Sequence, residues 1–106
     1  MEWLNFISTE IHKGFSPLFN PKLPEEAKAS AKERLADRIG FAAMALEGKN
    51  YLMGRAFTIA DAYLFTTLRW AQYVGLDLVP WPALKDYMER IAARTAVKAA
   101  MKEEGL

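Results

Sequence analysis

The sequence predicts an all-α fold, a bundle of about five helices, on three observations. Apolar residues recur at three- and four-residue spacing through most of the 106 residues. No period-two alternation of β-branched residues persists for the length of a strand. The breaks between periodic runs are short stretches rich in Gly, Pro and Asn, and connections of about 5 to 10 residues suit an antiparallel or orthogonal bundle. A chain of this length forms one compact domain that buries roughly 65% of the surface its unfolded form exposes.

The first helix is predicted from Glu2 to Lys13, with Trp3, Leu4, Ile7 and Ile11 as its apolar stripe. Gly14 should end it, and Gly14-Phe15-Ser16-Pro17 and Asn20-Pro21-Lys22-Leu23-Pro24 read as turn chemistry, packed by Phe15, Leu18 and Phe19. Proline suits a first turn and acidic residues favour the positive end of the helix dipole, so Pro24-Glu25-Glu26 opens a long second helix. Its apolar positions run through Ala27, Ala31, Leu35, Ile39, Ala42 and Leu46 to about Glu47, where Gly48 closes it. A third helix, apolar on nearly every face and hence central, is predicted from Thr58 to about Val74. A fourth fits Pro82 to Arg94, with Leu84, Tyr87, Met88, Ile91 and Ala92 in register, and a short fifth spans Ala96 to Lys102.

Composition excludes several classes of function. Fourteen basic residues against thirteen acidic ones leave a formal charge of +1, with the signs interspersed, which argues against a nucleic-acid partner. The longest uncharged apolar run, Ile39 to Leu46, falls far short of the roughly 18 residues of a membrane span, and the N-terminus reads as an amphipathic helix rather than a leader. A cytoplasmic protein is expected. The absence of cysteine rules out a disulfide, a thiolate nucleophile or a cysteine metal site within the chain, and a single histidine, His12, is too few for a histidine metal site. No metal is expected. Chemistry must rest on His12, on carboxylates or on groups from another chain.

Two constellations stand out. Thr58 followed by Asp61 has the spacing of a capping box at the head of the most apolar helix, where buried N–H groups have no recourse to water. Asp61 is alternatively a catalytic carboxylate, but one committed to backbone donors is stabilised as the anion and makes a poor acid or base. On the first helix Asn5, Thr9 and His12, at i, i+4 and i+7, fall within about 60° of one another on a face opposite the apolar stripe. From spacing alone that face is either solvated or a site. Tyr63 and Trp70, seven residues apart on the third helix, are either core or the wall of an apolar pocket.

The stretch Gly54-x-x-Phe57-Thr58-x-Ala60-Asp61-x-Tyr63 resembles the start of the central helix in the C-terminal domain of glutathione transferases. Residues 2–15, from Glu2-Trp3-Leu4-Asn5-Phe6 through His12-Lys13-Gly14-Phe15, are similar to the first C-domain helix of the bacterial beta class. The tail, Arg94-Thr95-x-Val97-x-x-Ala100 to Glu104-Gly105-Leu106, is also similar, with Thr95 where the family usually carries proline. The resemblance covers essentially the whole chain.

It implies the C-terminal half of an enzyme that conjugates glutathione to hydrophobic electrophiles and acts as a homodimer. It places Asn5, Thr9, Glu10, Ile11 and His12 at the glutathione, with His12 close to the sulfur as the catalytic group and Trp70 at the electrophile. An imidazole with its ordinary pKa near 6.5 can donate to a thiolate or shuttle its proton, and Lys13 can add a favourable field. The same resemblance assigns most glutathione contacts, and in the beta class a cysteine, to a thioredoxin-like N-terminal domain that these residues do not include. The chain therefore reads as a fragment or a natural truncation, inactive by itself. The alternative is a non-catalytic assembly module that docks through its first two helices.

Overall fold

The structure, a computed structural model, describes residues 2–94, and among them four helices form the bundle. Helix α1 covers residues 3–15 as three joined segments: α-helical Trp3–Phe6, a π-helical stretch Ile7–His12, and an α-helical turn Lys13–Phe15. A 3₁₀ turn, Ser16–Phe19, follows. Helix α2 is Glu25–Leu46, and α3 is Ile59–Arg69 extended by the 3₁₀ turn Trp70–Tyr73. Helix α4 is Pro82–Ala92. The fifth helix expected at Ala96 to Lys102 lies outside the described residues. No strand occurs among the described residues; the one extended pairing is a bridge between Tyr51 and Gly54.

Helix α1 differs from the sequence expectation in two ways, and both have a packing cause. The Lys13 N–H reaches back five residues to the Ser8 carbonyl, so the turn is wider than an α-turn. A wider turn suits an apolar repeat of four, and the buried residues are Trp3, Ile7, Ile11 and Phe15, each four apart. Leu4, expected on that stripe, is 39% exposed. The helix also runs through Gly14 instead of stopping there. A Cβ at Gly14 would stand 3.0 Å from Leu35 Cδ1, so the glycine serves the close approach of α1 to α2.

Helix α2 buries Ala31, Leu35, Ile39, Ala42, Ala43 and Leu46, and Gly48 ends it with φ +75, a conformation that favours glycine. Mid-helix Gly40 marks another close approach, because a Cβ there would lie 3.2 Å from Trp81 Nε1. Helix α4 contributes Leu84, Tyr87 and Ile91 to the core. Its C-terminal end is tied to the 50–57 segment: Arg90 Nε donates to the Asn50 carbonyl at 2.9 Å, and the Arg94 guanidinium lies 4.1 Å from the Phe57 ring centroid.

The central helix begins at a buried carboxylate. Thr58 and Asp61 form the reciprocal capping box, in which Asp61 Oδ2 accepts from the Thr58 N–H at 2.9 Å. The Thr58 hydroxyl donates to the same oxygen at 3.3 Å. Oδ1 accepts from the Leu52 N–H at 2.9 Å and from the Tyr87 hydroxyl at 2.7 Å. Asp61 and Tyr87 both have no solvent exposure. Leu52 is presented by a tight turn in which Tyr51 and Gly54 exchange backbone hydrogen bonds of 3.0 and 2.9 Å. Burial, followed by its hydrogen bond to Asp61, pushes the Tyr87 hydroxyl far above the usual tyrosine range, so it stays a donor.

Two predictions follow from this anchor. Tyr87→Phe removes one hydrogen bond to a charged acceptor and should cost about 1.5–3 kcal/mol, whereas Asp61→Asn turns an amide donor toward existing donors and should cost about 3–5 kcal/mol. Urea midpoints at unchanged m-values measure both. The raised Tyr87 value also sets a pH dependence. Above about pH 10 the unfolded tyrosine loses its proton while the folded one keeps it, so the unfolded state binds fewer protons and stability falls as pH rises. That alkaline loss should be shallower in Tyr87→Phe.

Candidate functional site

The wide turn in α1 redistributes the polar residues that an ideal helix would keep on one face. With roughly four residues per turn, three residues carry the chain about a quarter of a turn from its starting direction, where an α-helix would leave it about a sixth away. Thr9 and His12 therefore diverge. Thr9, Glu10 and Lys13 open onto a groove of about 310 Å³ between α1 and α2, lined on the far side by Arg34, Asp37 and Arg38. His12 turns instead toward α3 and is half-buried there.

Each candidate has a definite local setting. Asn5 is exposed, and its carbonyl accepts from the Thr9 hydroxyl at 2.8 Å, a back-bond to residue i−4. Glu10 pairs with Arg38 at 3.2 Å across the groove, with both side chains well exposed. A pair so open to solvent is weak and leaves Glu10 available to a ligand. Ile11 has no exposed surface and packs in the core with Ile7 and Phe15, so its side chain does not join the polar face.

His12 sits in an aromatic cluster. Its Nδ1 lies 2.6 Å from the Tyr63 hydroxyl, with the two rings edge-to-face at 5.7 Å and 80°. Trp70 meets the imidazole at 5.1 Å and 77°. Trp70 is itself braced edge-to-face by Phe15 at 5.8 Å and by Phe19 at 6.2 Å. Phe19 is half exposed, so one side of this wall faces solvent. The spacing of Tyr63 and Trp70 placed them on one face of α3 and left core and pocket wall open; that both meet His12 depends on the crossing of α1 and α3, which spacing does not encode. The link from Tyr87 to Asp61 was also missed. Its signal was a hydroxyl on the apolar stripe of α4 between Leu84 and Ile91, which needs a buried acceptor.

The family description "Glutathione S-transferase, C-terminal domain" matches residues 6–95. The chain belongs to this family. It is 46% identical over 106 residues to glutathione S-transferase GstA of Escherichia coli O157:H7, covering 100% of this chain and 53% of that protein. It is 36% identical over 111 residues to glutathione S-transferase GST-4.5 of Xanthomonas campestris pv. campestris, covering 98% of this chain and 54% of that protein. Among solved structures, the bacterial transferase BphK in a ternary complex superposes with a TM-score of 0.96 at 48% identity, covering 99% of this chain and 52% of that one. A bacterial beta-class transferase from Sphingomonas chungbukensis gives 0.91 at 41% identity, covering 98% and 52%. The chain thus spans about half the length of the curated relatives it matches. Among the described residues no group of three or more His, Asp or Glu is placed to hold a metal, and no helix is long and apolar enough to cross a membrane.

The exposed Glu10–Arg38 pair generates a prediction. Glu10→Gln should change the unfolding free energy by less than about 1 kcal/mol, read as a urea midpoint within error of the parent at moderate salt. A larger loss would mean that Glu10 is structural and not free to meet a ligand.

Proposed function

We propose that this chain is the C-terminal half of a cytoplasmic glutathione transferase that conjugates glutathione to hydrophobic electrophiles. The observation that carries the reading is the placement of the half-buried His12 between Tyr63 and Trp70 at the solvent-facing aromatic wall of α1 and α3. In this reading Asn5, Thr9 and Glu10 meet the polar parts of the tripeptide, His12 meets its sulfur, and Trp70 with Phe19 walls the electrophile. Ile11 shapes the site only by holding α1 in place, since it has no exposed surface. A thioredoxin-like N-terminal domain supplies the remaining glutathione contacts and the groups that activate the thiol.

The reading includes a homodimer. An apolar face on α1 and α2 supports it: Phe41 is 44% exposed, Met44 73% and Leu4 39%, around an aromatic cluster of Trp3, Phe6 and Phe41. Such a patch favours association.

The chain alone should show no rate in aryl-halide conjugation. A two-domain enzyme carrying it should show one, reduced about 10²-fold in kcat by His12→Ala, the scale for one donor lost from a developing anion. A rate from the isolated chain that survives purification and disappears with His12→Ala would contradict the division of labour between the domains. In its source cells the segment should be found in a species about twice 12.0 kDa; a species at 12.0 kDa that glutathione resin does not retain would favour an assembly module instead.

A further inference from the structure

We propose that Tyr63 is a positioning residue that donates its phenolic proton to His12 Nδ1 and so holds the neutral imidazole in the tautomer whose proton is on Nε2. His12 then acts as a hydrogen-bond donor to an anionic sulfur and not as the base that takes the thiol proton. The inference rests on the glutathione reading for the identity of the acceptor, while the tautomer itself does not.

The hydrogen bond indicates which partner donates. Its 2.6 Å length lies below the roughly 2.7–3.2 Å of N–H donors to oxygen, which disfavours the imidazole N–H as the donor. Acid–base matching gives the same direction: a phenol is a stronger acid than a neutral imidazole N–H, and an imidazole lone pair is a stronger base than a phenol oxygen. Donation from Tyr63 to Nδ1 is therefore the favoured arrangement of the neutral pair.

The surroundings hold the ring in this pose. Tyr63 stands one half-turn beyond Asp61, so the buried anchor at the head of α3 fixes the direction from which the hydroxyl arrives. Trp70 closes on the imidazole at 5.1 Å, backed by Phe15 and Phe19. Among the described residues Nε2 has no hydrogen-bond partner, and the ring as a whole is half-buried. With Nδ1 occupied and Nε2 already protonated, the neutral ring has no free lone pair for a thiol proton. What it offers is an N–H aimed by its neighbours, and preorganised donors of this kind stabilise developing anions.

His12 is the only histidine of these 106 residues, and in a long-range ¹H–¹⁵N correlation spectrum of the labelled protein its imidazole is the set of signals that His12→Gln removes. At pH about 8.5, above the ordinary imidazole range, the expected pattern is a proton-bearing Nε2 and a bare, hydrogen-bonded Nδ1. Tyr63→Phe should move the two nitrogen resonances toward each other as tautomer exchange resumes. The reverse pattern in the parent protein, with the proton on Nδ1, overturns the proposal and makes Nε2 a base. A Tyr63→Phe spectrum identical to the parent's overturns it equally. If that variant does not fold, the parent spectrum alone decides the tautomer. Glutathione added afterwards to the same sample separates the two claims, because a silent His12 would count against the glutathione reading and leave the tautomer assignment standing.

Discussion

The Asp61 carboxylate is fully buried at the head of the central helix, and the arrangement of the bundle depends on how it is satisfied. A carboxylate out of water and without donors costs several kcal/mol, so that helix cannot start where it does unless donors come to it. They arrive from three directions: the backbone and hydroxyl of Thr58, the backbone of Leu52 from the tight turn at 51–54, and the Tyr87 hydroxyl from α4. One side chain thereby links the segment before α3, the start of α3 and the middle of α4. The reading of Asp61 as a catalytic group loses its footing, since both oxygens are already occupied.

The site follows from that anchor together with the shape of α1. Tyr63 lies just beyond Asp61 and Trp70 two turns further, so the direction of α3 sets where both aromatic rings stand. On the other side, the wide turn at Ile7–His12 keeps Trp3, Ile7, Ile11 and Phe15 in one buried row while swinging His12 away from Thr9 and toward α3. An ideal α-helix would keep His12 nearer the direction of Asn5 and Thr9. The local departure from α geometry is what brings the single imidazole to a hydroxyl and an indole. Such departures inside helices recur at functional sites.

Much of this was legible in the residues, because periodicity and caps are local properties. The extents of α2 and α4, the Gly48 stop and the Thr58–Asp61 box all follow from spacing and backbone preference. Helix α1 was harder. Read with an α period its stripe took in Leu4 and its polar residues shared one face, yet a strict repeat of four from Trp3 to Phe15 was the visible mark of an under-wound helix. Gly14 looked like a stop because a glycine's packing role against Leu35 depends on a helix distant in sequence. The contacts of His12 with Tyr63 and of Tyr87 with Asp61 join residues 51 and 26 positions apart, and no local pattern specifies such pairs.

The central claim is that glutathione meets α1 through Asn5, Thr9 and His12, with its sulfur toward Trp70, and not the apolar surface of Phe41, Met44 and Trp81. Titrating glutathione into the isotopically labelled protein in the form in which it occurs in its source cells tests this most directly. The account predicts resonance shifts at Asn5, Thr9 and His12 and at the Trp70 indole, with the Trp81 indole, packed against Gly40, unmoved. Shifts at Trp81, Phe41 and Met44 with His12 and Trp70 silent would contradict it.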